Sequence, residues 1–84
     1  MVYPNPVRPD YQGNISVKGM MINSEVKIVD ASGFHNQTVF SRGGQAIWNG
    51  RDQNNQPVSS GVYYFFASSE DGYSKAKSKV LIIR

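Results

Sequence analysis

Apolar residues in this chain recur at every second position or in short runs, not at the spacing of a helix face, and turn-forming residues interrupt them repeatedly. That pattern argues against a helical domain and predicts a series of short antiparallel strands. In NISVKGMMI, Ile15, Val17 and Gly19 alternate with polar neighbours; a turn at Asn23 and Ser24 follows, and EVKIVD sets Val26 and Ile28 on one face. DASG places Asp30 first and Gly33 last in a type I turn, which predicts a hairpin with NQTVF as its return strand. RGGQ turns the chain into AIWNG, where Trp48 shares parity with Ala46 and reads as a core anchor, while Ile47 faces away. A polar loop, NGRDQNNQPVSSG, precedes the strand VYYFFASS, and EDGY turns the chain into the last strand, SKAKSKVLIIR. About six to seven strands with no room for crossover helices predict an all-β, immunoglobulin-like antiparallel β-sandwich with Greek-key connections. YPNPVRPD, whose prolines lack a backbone donor, belongs at a sheet edge or in a lead-in linker.

At 84 residues the chain is read as one domain. Its whole stability is about 4 to 13 kcal/mol, so one large core residue matters to the fold. The absence of cysteine excludes a disulfide scaffold and a thiolate zinc site without fixing the compartment. The longest apolar runs, VYYFFA and VLII, are far short of the roughly 20 residues a membrane helix needs. The abrupt opening, Met1 followed by the strand-like VY, is expected of a single domain excised from a longer exported protein. The net charge of +3 is uneven: Lys75, Lys77, Lys79 and Arg84 stand without an acid in the last strand, and the first 72 residues sum to −1. Basic charge confined to one strand argues against nucleic acid as a partner.

No set of residues reads as catalytic. His35, the single histidine, follows a turn with no serine, cysteine or carboxylate at relay spacing and reads as a solvated residue. Asp52 with Asn54 and Asn55 is a faint match to a calcium loop but lacks the further acids and closing glutamate of one, so no metal site and no cofactor are expected. Gly43 and Gly44 precede a strand instead of a helix and form no phosphate cradle.

Two segments load both strand faces with apolar groups. In VYYFFA, Tyr63, Phe65 and Ala67 oppose Val62, Tyr64 and Phe66; only one set enters the core, so Tyr64 and Phe66 are candidates for an interface. In the last strand Lys75, Lys77, Lys79, Leu81 and Ile83 oppose Ala76, Ser78, Val80 and Ile82. The lysines guard an edge against pairing, and the apolar tip drops that guard.

VYPNPV, VKIVDASG, WNGRDQNNQPVSSGVYYF and KSKVLIIR, in this order, resemble the C-terminal sorting domains, type A, of the type IX (Por) secretion system of Gram-negative bacteria. The resemblance covers nearly the whole chain and implies a non-enzymatic address tag. Its partners would be the outer-membrane translocon, a shuttle protein and a sortase, together with the protein's own N-terminal domains. Its route would lead through the periplasm to the outer membrane and cell surface. By the family pattern recognition falls on Gly61, Tyr63, Lys79, Val80, Leu81, Ile82, Ile83 and Arg84, and Lys77, on the same strand face as Lys79, is expected to join them. Phe34 stands where an arginine is usual and Asn55 where a glycine is expected, and asparagine tolerates the positive φ required there.

The tip is expected to dock by strand addition, with a chain shortened by VLIIR still folded, and the same edge is expected to allow a strand-exchanged homodimer. A generic immunoglobulin-like spacer or ligand-binding module is the alternative. A carbohydrate-binding module is a third reading, and it requires Trp48 and Tyr64 to be exposed together.

Overall fold

Strand parity decides which side chains enclose the core. The computed structural model describes residues 2–11, 13–19, 24–68 and 75–84, with the backbone alone at 68, 75 and 76. Among these residues the strands are β1 (Val2–Tyr3), β2 (Ile15–Lys18), β3 (Glu25–Asp30), β4 (His35–Phe40), β5 (Gln45–Trp48), β6 (Gly61–Ser68) and β7 (Lys75–Ile82). They form two antiparallel sheets, ordered β1-β2-β5 and β4-β3-β6-β7. After the β3–β4 hairpin the chain crosses to the smaller sheet as β5, then returns as β6 beside β3, the Greek-key path of an immunoglobulin-like sandwich. The expected turns at Asn23 and within EDGY lie outside the described residues.

The predicted alternation holds: Val17, Val26, Ile28 and Trp48 are enclosed, and Ile47, opposite in parity to Trp48, is exposed. Where the sequence left the inward set open, Phe65 on β6 and Val80 and Ile82 on β7 are the enclosed ones. Trp48 reaches from the smaller sheet to two rings of the larger one: Phe65 lies edge-on at 5.8 Å and Tyr63 is tilted at 5.7 Å. Its indole N–H donates to the Arg51 carbonyl at 2.9 Å, so the buried polar atom is satisfied. The requirement of a carbohydrate platform that Trp48 be solvent-facing is therefore contradicted.

Local bonding fixes the connections. Asp30 Oδ1 accepts from the Ser32 N–H, the Ser32 hydroxyl and the Phe34 N–H. Gly33 N–H donates to the Asp30 carbonyl and closes the expected turn. The polar loop is equally ordered: Asp52 Oδ1 accepts from the Asn54 and Gln56 amides, and Asn55 takes the positive φ of 61° that its place in the turn demands. Asp52 thus closes its own loop.

The proline-rich start sits at the edge of both sheets. Val2 and Tyr3 pair with β2; past Pro4 and Pro6 the chain has changed layers, and Val7 bridges Ile82 of β7 in parallel.

The tip of β7 divides by parity as well. Val80 and Ile82 fill the core and Leu81 faces out. The expectation that a chain without residues 80–84 stays folded is therefore corrected. The deletion removes two enclosed side chains together with their pairing to β6, a loss of several kcal/mol. That is a large share of a total of about 4 to 13 kcal/mol.

Chemical denaturation should give Trp48→Ala about 3 to 5 kcal/mol less stability than the parent, and the 80–84 deletion should show no cooperative transition; a parent-like midpoint for either would contradict this packing. The hydroxyl of Ser32 and then the amide of Phe34, both donating to the Asp30 carboxylate, hold its pKa below the ordinary aspartate value. A lowered folded-state pKa means this contribution is complete above the unfolded value and is lost as pH falls through the folded one. An NMR titration should therefore place the Asp30 midpoint below that of an unfolded-chain aspartate, and Ser32→Ala should raise it.

Candidate recognition surface

Because β6 and β7 give one parity to the core, the other parity forms an outward face. On β6 it carries Val62, Tyr64 and Phe66; on β7 these stand opposite Leu81, Lys79 and Lys77 respectively. Tyr64 and Phe66 stack with ring centroids 6.3 Å apart and planes 28° from parallel. Tyr64 is half-buried, and Phe66 on the inner strand β6 and Leu81 on the edge strand β7 are each 42% exposed, much for apolar side chains of this size. β3 widens the face, since Lys27 lies in register with Phe66. With Lys27, Lys77 and Lys79 the surface combines apolar rings with ammonium groups.

The remaining residues singled out in the sequence take other positions. Tyr63 is only 4% exposed, and its hydroxyl donates to the Ser59 carbonyl at 2.7 Å, the corner bond that pins the start of this strand in immunoglobulin-like folds. Gly61 has φ of 155° with open space where a Cβ would stand, so its backbone conformation, not crowding, demands glycine. Val80 and Ile82 are enclosed, so in the folded domain a partner does not reach them. Ile83 is half-buried. Arg84 is anchored at three points. Its N–H donates to Ser60 Oγ at 2.8 Å, its Nε to the Val58 carbonyl at 2.9 Å and its Nη2 to the Gly50 carbonyl at 3.4 Å. The structure thus brings Tyr64, Phe66, Lys77, Lys79 and Leu81 onto one face and places Gly61, Tyr63, Val80 and Ile82 beneath it as support.

Sequence reasoning missed Asn5 and Val7, which cover the backbone edge of the tip. Val7 N–H donates to the Leu81 carbonyl and Ile83 N–H to the Val7 carbonyl, each at 2.8 Å. The side chain of Asn5 bonds to Lys79 and Leu81. The proline spacing marked this segment as an edge piece, but no local signal gives its partner. Strand addition at the apolar tip, as expected from the sequence, would meet an edge already taken at Leu81 and Ile83.

His35 is exposed, with its ring nitrogens near Thr38 Oγ1 and the Gln53 amide. Among the described residues no three histidine, cysteine or carboxylate side chains gather at one place.

A family model described as the secretion system C-terminal sorting domain matches residues 1–84. Among solved structures the chain is similar to PorZ of Porphyromonas gingivalis, described as an essential bacterial surface component of its type-IX secretion system. The match has a TM-score of 0.86 and 30% sequence identity over the whole of this chain. The matched region is 11% of the PorZ chain, so this chain spans a small part of that protein's length. No curated protein matches. The sandwich, the ordered motifs and the match over the full sequence agree: the chain belongs to the family of secretion system C-terminal sorting domains and is a secretion signal of the type IX system.

Proposed function

We propose that this chain is a non-catalytic signal, part of a longer protein, that sends the protein joined to it through the type IX translocon to the cell surface, and that it is read folded. The observation that carries the reading is the outward parity of β6 and β7, which leaves Phe66 and Leu81 open beside Lys77 and Lys79 after the core is complete. Apolar groups rimmed by charge are the composition of a surface that meets another protein. Tyr64, Phe66, Lys77, Lys79, Leu81, Ile83 and Arg84 make the contact. Gly61, Tyr63, Val80 and Ile82 act through it, as positioning residues that hold the two strands in place.

The partners on this reading are the translocon and shuttle proteins in the periplasm and outer membrane, with a sortase acting at the surface. An immunoglobulin-like spacer has the same core and no use for the outward face.

Export of a fused reporter separates these roles. Leu81→Glu should lower the surface-exposed reporter about tenfold or more, as expected when a contact worth about 1.4 kcal/mol is lost, while its melting temperature stays near that of the parent. Ile82→Ala should lower stability by about 2 to 5 kcal/mol and reduce export only in step with the folded fraction. Full surface delivery of a folded Leu81→Glu reporter would contradict recognition through this face and favour the spacer.

A further inference from the structure

β7 is the outer strand of its sheet, so every second residue aims its N–H and C=O away from β6. At Leu81 both groups are taken. The N–H donates to Asn5 Oδ1 at 3.1 Å, and the C=O accepts from the Val7 N–H. The Lys79 carbonyl accepts from Asn5 Nδ2 at 3.2 Å. Asn5 covers with its side chain what a neighbouring strand would cover with its backbone. By the same alternation the Lys79 N–H and both backbone groups of Lys77 point outward, and among the described residues nothing meets them. A groove of about 800 Å³ lies alongside, lined by Val2, Asn5, Tyr64, Lys77, Ser78 and Lys79.

We propose that this open stretch of the β7 edge, at Lys77 to Lys79, binds an extended acidic peptide by strand addition, continuing the pairing that Asn5 and Val7 already make on the same edge. Unpaired edge groups supply the affinity common to strand addition, and the side chains beside them set the selectivity. Lys77 and Lys79 stand on the outward face, so acids at alternate positions of the added strand lie next to their ammonium groups. Intervening residues face Val2 and Ser78 and are small or apolar. A second copy offering the same edge sets lysine against lysine, which opposes self-pairing. The inference deepens the secretion reading by giving the chemistry of a partner segment, and rests on that reading only for where such a segment belongs.

The probe is a fluorescein-labelled pentapeptide alternating glutamate and valine, titrated into the 84-residue chain by anisotropy. The parent should bind it. Lys77→Glu/Lys79→Glu, and separately Lys77→Pro, should weaken binding about tenfold or more; proline at this edge position removes an outward N–H and no bond to β6. A lysine–valine peptide and a glutamate–valine peptide N-methylated at every residue should not bind. Equal binding of the methylated and unmethylated peptides, no binding to the folded parent, or self-association of the chain abolished by Lys77→Pro would each overturn the inference. Peptide binding decides it regardless of reporter export, and export alone decides the secretion reading.

Discussion

Trp48 packed against Tyr63 and Phe65 is the interaction on which the rest of the molecule depends. It is the contact by which the three-stranded sheet grips the four-stranded one, and it assigns one parity of β6 to the interior. Once Tyr63 and Phe65 face inward, Tyr64 and Phe66 have to face outward, and the register with β7 carries Lys77, Lys79 and Leu81 to the same side. A slip of one residue would exchange these sets and bury lysines. The outward face is therefore a geometric consequence of how the core is closed.

An apolar segment on the final strand has a double role on this account. Val80 and Ile82 complete the core, while Leu81, between them, lies on the exposed face proposed for recognition. The same short stretch thus ties the signal to the folded state: a chain whose tip is unfolded lacks both the core and the face. The N-terminal segment adds a second link, because Val7 and Asn5 bond to the last residues of β7 and bring the two ends of the sequence together. Any partner bound at the tip would touch the N-terminal segment at the same place.

Much of this was legible in the residues. Period-two patterning gave the strand faces, the parity of Trp48 with Ala46 gave its burial, and DASG gave the hairpin with Asp30 as its pin. These features are local, set by alternation and turn chemistry. What could not be read was pairing between distant segments. Two glycines turn the chain from β4 toward β5 with Arg42 and Gln45 exchanging backbone bonds, yet nothing in RGGQ tells that this turn changes layers. Ser24 and Ser41 form a buried hydroxyl pair at 2.7 Å that the spacing of two serines does not announce. Tyr63 was singled out through the family pattern, and its bond to Ser59 gives it a structural part that the sequence alone did not reveal. The cover over the backbone edge of the tip went unread for the same reason, since Asn5 lies 74 residues from Lys79, whose carbonyl it bonds.

Backbone amide hydrogen exchange along β7 reads, residue by residue, the division of one strand into core, covered and open groups. Slow exchange is expected at Ser78, Val80 and Ile82, which face β6, and at Leu81 and Ile83, which are held by Asn5 and Val7, with fast exchange at Lys77 and Lys79. Protection at Lys77 and Lys79 equal to that at Leu81, or rapid exchange at Leu81 and Ile83, would contradict this division.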